Sequence, residues 1–236
     1  MEDINQRIAT YQPSTAAHEL VSSMRIAIFV GISGAGKDTI KSQLLKSGDY
    51  VDIVTTTTRQ PRLNDNIPEQ DGLDYYFINR ARAQAMLDNQ EYVEVSLVHD
   101  EVNGSSLDEL RRLSRLNKVV VADVDVQGLD KYKKLSQSVT ALFILPPSFE
   151  VWRQRLTNRY TDQAEFGAVW PKRRASAIDE LSYALSTNYY HFIINDDIDR
   201  AVKVASDIIQ NGGSRAKDAE ARQIAGDLLQ SIQDSL

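Results

Sequence analysis

The sequence predicts an α/β fold: a mostly parallel sheet covered by helices on both faces, with a small mixed or antiparallel insertion beside it. Three observations carry that prediction. Apolar runs alternate with segments of helical periodicity, a glycine-rich loop joins the first run to the helix after it, and between Tyr50 and about Gly104 the pattern changes to short strands among polar loops.

The alternation starts late. Ile4, Ile8 and Tyr11 keep helical spacing, Pro13-Ser14-Thr15 breaks it, and a second helical stretch runs to Val21. From Arg25 onward the text changes. Ile26-Ala27-Ile28-Phe29-Val30 is a continuous apolar run, as a strand buried on both faces requires. Similar runs recur at Val119-Val120-Val121, at Val139 to Leu145 and at His191 to Ile194. In the insertion, Tyr75-Tyr76-Phe77-Ile78 and Glu91-Tyr92-Val93-Glu94-Val95 read as short strands. After Asn211-Gly212-Gly213 a tail from Ser214 sets Ala221, Ile224, Ala225, Leu228, Ile232 and Leu236 on one helical face. Its polar face carries both signs of charge, so it reads as a terminal helix packed on the domain or on another subunit rather than on a membrane.

Composition narrows the classes of function. With 236 residues, 42% hydrophobic and 25% charged, the chain has material for one large domain with attachments. It carries 27 Lys and Arg against 33 Asp and Glu, a net charge of −6, which argues against a general nucleic-acid or anionic-membrane binder. A small phosphorylated ligand held by a few cations remains open. Cysteine is absent, so disulfides, thiolate metal sites and cysteine nucleophiles are excluded. His18, His99 and His191 lack the spacing of zinc ligands. No apolar run approaches the roughly 20 residues that cross a bilayer. Met1 to Thr10 is polar and acidic, unlike a secretory leader. A cytoplasmic location is the expectation.

Four stretches carry candidate chemistry. Gly31-Ile32-Ser33-Gly34-Ala35-Gly36-Lys37-Asp38-Thr39 follows a buried strand and opens a helix. Glycines in that setting let backbone N–H groups curl around phosphates, the helix start adds positive potential, and Lys37 reaches the terminal phosphates. A plain glycine-rich turn is the minor alternative. Either Asp38 or Thr39 can offer an oxygen to a metal ion. Thr55-Thr56-Thr57-Thr58-Arg59-Gln60-Pro61-Arg62 places two arginines three apart, a residue type suited to bidentate phosphate recognition, though also common at surface turns. Val121-Ala122-Asp123-Val124-Asp125-Val126-Gln127-Gly128 sets Asp123 at the carboxyl end of a strand, where open α/β sheets bind ligands and where an Asp also serves as a helix cap. Arg153, Arg155, Arg159, Lys172, Arg173 and Arg174 outnumber Asp162 and Glu165 in the fourth stretch. Such a run is either a solvated face or a segment that closes over a transferring phosphoryl group.

Taken in order, GISGAGK, TTTTRQPR, GLDYYF, YVEV, NGSS, VADVDVQG, LPPS, RQRLTNR, KRRASAIDEL and IINDDID resemble the guanylate kinase family from about Arg25 to Gln210. The resemblance implies a P-loop nucleotide kinase fold, with a GMP-binding insertion and an arginine-bearing lid, that converts ATP and GMP to ADP and GDP with Mg²⁺. On that basis the domain spans 24–211, with its core at 24–54 and 107–211, its insertion at about 55–106 and its lid at about 155–174. Residues 1–23 and 212–236 are then helical attachments, candidates for self-association as a homodimer.

The resemblance also assigns roles. Gly31, Ser33, Gly34, Ala35, Gly36, Lys37, Asp38, Thr39 and Asn195 would hold ATP. Thr55, Arg59, Arg62, Tyr75, Glu94, Asn103, Ser105 and Asp125 would hold GMP. Lys37, Arg155, Arg159 and Arg173 would act in catalysis, and Asp38, Thr39 and Asp123 lie near the metal. Asn103 stands where the family has a tyrosine, and the loop from Arg62 to Tyr75 is long. Guanine offers N1–H and N2–H together to one carboxylate, whereas adenine offers an unprotonated N1, so a pocket-facing Glu94 prefers guanine. Two rival functions stand beside this one: a kinase of another nucleoside monophosphate or a phosphorylated sugar, and a non-catalytic protein-binding module.

Overall fold

The computed structural model describes residues 4–64, 67–98, 100–160, 162–213 and 215–235. Met1, His99, Ser214 and Leu236, which enter the readings above, lie outside the described residues. In chain order the elements are α1 (Ile4–Thr10), α2 (Thr15–Ser23), β1 (Ile26–Val30), α3 (Lys37–Leu45), β2 (Tyr50–Asp52), β3 (Thr56–Thr57), β4 (Leu63–Asn64), β5 (Ile67–Pro68), β6 (Tyr76–Phe77), α4 (Arg80–Asp88), β7 (Tyr92–Val98), β8 (Glu101–Ser106), α5 (Leu107–Ser114), β9 (Val119–Asp123), α6 (Val126–Leu135), β10 (Thr140–Leu145), α7 (Phe149–Thr157), α8 (Gln163–Ser186), β11 (Tyr190–Ile194), α9 (Ile198–Asn211) and α10 (Arg215–Asp234).

Five strands pair in the order β11-β10-β1-β9-β2, with β1–β10, β10–β11 and β2–β9 parallel. All five residues of β1 are buried, which is why its sequence is apolar without alternation. A second sheet, in the order β6-β3-β8-β7, is mixed: β3 runs parallel to β6 and antiparallel to β8, and β8 runs antiparallel to β7. The strand expected over Tyr75 to Ile78 shrinks to two residues, and β8 was not foreseen. Apart from Val102, β8 is built of residues poor in strand propensity, and its place between β3 and β7 makes it a strand.

The chain divides into two compact units: one of Met1–Ile26, Tyr50–Val121 and Asp130–Val139, the other of Ala27–Asp49, Ala122–Leu129 and Thr140–Leu236. In the first, α1 adds Ile4 to a buried cluster with Ala83, Met86, Leu87, Tyr92, Val95 and Val102 and packs Ile8 against it. Ser14 caps α2 by accepting from the Ala17 N–H, so the break at Pro13 is followed at once by a new helix start. In the second, α10 packs on α8 and on β11 of its own chain. Arg222 donates to the carbonyls of Leu185 (2.8 Å) and Thr187 (2.9 Å), and Arg174 donates to those of Ile232 (2.9 Å) and Gln233 (2.6 Å), closing orphan carbonyls at two helix ends. Trp170, next to Pro171 inside α8, packs among Phe149, Trp152 and Phe166. No helix among the described residues is long and apolar enough to cross a membrane.

Candidate active site

The loop between β1 and α3 encloses a cavity of about 390 Å³, lined by Gly31, Ser33, Gly34, Gly36, Lys37, Asp38, Thr39, Asp123, Val124, Asp125, Arg159 and Glu180. Gly36 ends the loop at φ +93°, and a Cβ there would sit 2.1 Å from Nδ2 of Asn195. Only glycine meets both conditions. Two loop carbonyls, those of Ser33 and Ala35, are held by groups from later in the chain. Trp152 Nε1 donates to Ser33 O at 2.7 Å, Asn195 Nδ2 to Ala35 O at 2.8 Å, and Arg155 to Ala35 O at 3.4 Å and Asn195 O at 2.9 Å. Anchoring the carbonyls in this way leaves N–H groups of the Gly-rich loop available to an anion, apart from that of Ala35, which donates to Ile32 O at 3.0 Å. Lys37 Nζ folds back to the Gly31 carbonyl at 2.7 Å, and Arg159 reaches the Ser33 hydroxyl at 3.4 Å.

Four acidic residues, Asp38, Asp123, Asp125 and Glu180, line the cavity with Lys37. Burial pushes the Asp123 carboxyl up to about 7, with Lys37 opposing and Asp38 adding to the rise. Burial does the same to Glu180, also to about 7, against Lys37 and with help from Asp125 and Asp123. Both groups therefore hold protons more tightly than ordinary carboxylates. Asp125 accepts from the Gly128 N–H at 2.7 Å, which makes it the cap of α6 as well as a cavity residue. Among the described residues no three His, Cys, Asp or Glu side chains are grouped to hold a metal alone. Nucleotide-bound Mg²⁺ needs less, since it keeps waters and substrate phosphates beside one or two carboxylates. The oxygen-only set of Asp38, Thr39 and Asp123 fits that requirement.

In the other unit, Arg59 makes a two-bond fork with Glu69, Nη1 to Oε2 at 2.8 Å and Nη2 to Oε1 at 3.0 Å. Glu69 lowers its own proton affinity through this pair, and Arg59 holds its proton harder. The same Oε2 accepts the Arg62 N–H at 2.8 Å. The Arg59 guanidinium lies 5.2 Å from the centre of the Tyr75 ring and 6.0 Å from that of Phe77. Tyr76, one residue on, bonds Glu109 at 3.1 Å instead, as the alternation of a strand dictates. Glu94 is 5% exposed, and its Oε1 accepts both the Ser105 N–H and the Ser105 hydroxyl at 3.0 Å.

Several expected residues turn out to be engaged differently. Arg155 and Asn195 brace the loop between β1 and α3 through the Ala35 carbonyl, because burial aims them at the nearest unsatisfied acceptors, and neither lines the cavity. Arg173 also lies outside the cavity lining, within electrostatic range of Glu180. Arg59 meets a carboxylate of its own chain, Ser105 spends its hydroxyl on Glu94, and the Asn103 amide donates to Glu101 O at 3.0 Å. Thr55 contributes its carbonyl to the Tyr76 N–H at 2.9 Å, and the Arg62 side chain is exposed. Sequence reasoning missed Glu69, Trp152 and Glu180. Glu180 had a signal, since it continues the inward face of α8 set by Ala177, Leu181 and Ala184, where an acid is out of place.

Residues 23–212 match the family model described as guanylate kinase. The chain is 37% identical over 186 residues to a guanylate kinase of Caldanaerobacter subterraneus, covering 78% of this chain and 85% of the other. It is 33% identical over 185 residues to a guanylate kinase of Rickettsia typhi, covering 78% and 89%. Its fold is similar to the crystal structure of guanylate kinase from Anaplasma phagocytophilum, with a TM-score of 0.60 and 23% identity over 86% of this chain and 94% of that one.

Proposed function

The chain belongs to the guanylate kinase family, whose members are nucleoside monophosphate kinases, and from that membership we propose that it transfers the γ-phosphoryl group of ATP to GMP. Residues 24–211 form the catalytic part in this reading, with 1–23 and 212–236 as attachments. The observation that carries the choice of acceptor is Glu94: a buried carboxyl, held as an acceptor by two donors of Ser105, suits the N1–H and N2–H of guanine together, whereas adenine presents an unprotonated N1.

Positioning and charge do the chemistry; no covalent intermediate is needed. The N–H groups of Gly34, Gly36 and their neighbours cradle the ATP phosphates. Lys37 leaves the Gly31 carbonyl for the terminal phosphates, and Arg159, at the cavity wall, meets the transferring group. Asp38, Thr39 and Asp123 would hold Mg²⁺, which neutralises phosphate charge when bound. Arg59 and Tyr75 take the GMP phosphate, so Glu69 stands where a second anion must share or replace its bonds. Arg173 closes on the transferring group from α8. Small nucleotides, with no nucleic acid or membrane as partner, and a cytoplasmic setting go with this reading, as does a dimer through the terminal helices.

A second acceptor, another monophosphate or a phosphorylated sugar, is favoured only by Asn103 and the long loop before Tyr75. A protein-binding module has no use for a braced phosphate loop. ATP consumption measured with GMP, dGMP, AMP, CMP and UMP side by side decides: turnover highest with GMP and dGMP is expected. Faster turnover with any other acceptor, or none with all five, overturns the proposal.

A further inference from the structure

We propose that Tyr11, which precedes the stretch matched by the family model, is a positioning residue for Glu94 and thereby sets the affinity for the acceptor base. The proposal rests on the reading of Glu94 as the guanine acceptor. Strand β7 is the edge of the mixed sheet, so one row of its backbone groups lacks a neighbouring strand. At Tyr92 that row is closed by a single side-chain oxygen. The Tyr92 N–H donates to the Tyr11 hydroxyl at 3.0 Å, and the hydroxyl donates to the Tyr92 carbonyl at 2.7 Å. Tyr11 does for Tyr92 what an adjacent strand would do. Because Tyr92 is wholly buried, the hydroxyl is the partner that keeps these groups satisfied.

The location gives the contact its consequence. Tyr92 pairs with Ser106, but Glu94 pairs with Ser105, so Val93 is the extra residue of a β-bulge. Bulges disrupt the ladder locally and re-aim a side chain. Here the re-aimed side chain is Glu94, whose carboxylate takes the Ser105 N–H. Tyr92 is the last regular position before the bulge, and its ring lies against Gly104, where a Cβ would come within 2.8 Å of it. Holding Tyr92 therefore holds one flank of the turn that aims Glu94. The arm is itself well anchored: Ile8 and Tyr11 pack on the buried cluster, Gln90 donates to Gln12 O at 3.1 Å, and Arg7 pairs with Asp88. Burial pushes the Tyr11 hydroxyl up to about 12, so it stays protonated and keeps both its donor and its acceptor role.

Tyr11→Phe removes one oxygen and little else. In the nucleotide-free chain, hydrogen exchange of the Ser105 amide should quicken at least about tenfold as the bulge loosens. In steady-state assays KM for GMP should rise about tenfold, with KM for ATP and kcat within about twofold, as loss of a supporting contact predicts. Arg7→Ala, which cuts the ion pair of the arm and keeps the hydroxyl, should leave KM for GMP within about twofold. Unchanged Ser105 exchange in Tyr11→Phe overturns the inference, as does an equal rise in both KM values. A matching rise in Arg7→Ala overturns the assignment to the hydroxyl. If the wild-type chain phosphorylates no GMP, the reading of the acceptor fails on its own, and the Ser105 exchange still decides whether Tyr11 sets Glu94.

Discussion

Around the glycine-rich loop, seven of the nine residues from Gly31 to Thr39 supply most of the cavity wall, while around Glu94 the contacts come from β7, β8 and, through Tyr11, from the N-terminal arm. The first arrangement is a backbone device: glycine conformations and a helix start make an anion site almost wherever that short stretch is placed. The second is a side-chain device. The selectivity proposed for it depends on where one carboxylate points, which depends in turn on a bulge and on what grips the strand beside it. A local site tolerates change in its surroundings better than a composite one does.

The largest expected effect is on the local side. Lys37→Ala should cut turnover by about 10³-fold or more while leaving the dissociation constant for GMP within about threefold, since the lysine acts on charge that develops in transfer. Stopped assays and calorimetry on the same preparation test this, and unchanged turnover would remove Lys37 from the mechanism. On the composite side, Glu94→Gln should lower kcat/KM for GMP by about 100-fold and leave KM for ATP unmoved, because a buried amide presents one acceptor where two donors arrive. Equal losses for both nucleotides would show that the two regions are less separable than their construction suggests.

The smallest effect sharpens the electrostatic contrast. Glu180 has a folded pKa of about 7 against an ordinary 4.5, so the folded state favours its protonated form. Its contribution is fully favourable at low pH and is lost as pH rises toward and through 7. Glu180→Gln should therefore raise the Tm of the nucleotide-free chain by about 2–4 °C at pH 8 and change it little at pH 5. A uniform shift at both pH values would point to packing instead.

Legibility followed the same division. The glycine-rich loop between strand and helix could be placed from its own residues, since strand, glycines and lysine are adjacent in the chain. Arg155 and Asn195 were also picked out, but as ligand groups. Their roles as braces of the loop carbonyls come from α7 and from the end of β11, which no spacing in the sequence connects to Ala35. Arg59 reads as a phosphate fork, yet ten residues later the chain supplies Glu69 as its partner.

By itself the sequence determined the α/β class and the glycine-rich loop between its first strand and the helix after it, because each is written in local pattern: buried strands need unbroken apolar runs, and tight backbone turns need glycine. Which carboxylates face Lys37, what holds Arg59 in waiting and why an arm outside the family match grips β7 were decided only by tertiary structure. Those relations join residues 10 to 160 positions apart, and burial turns each unsatisfied donor or acceptor among them toward whatever partner the fold brings within reach.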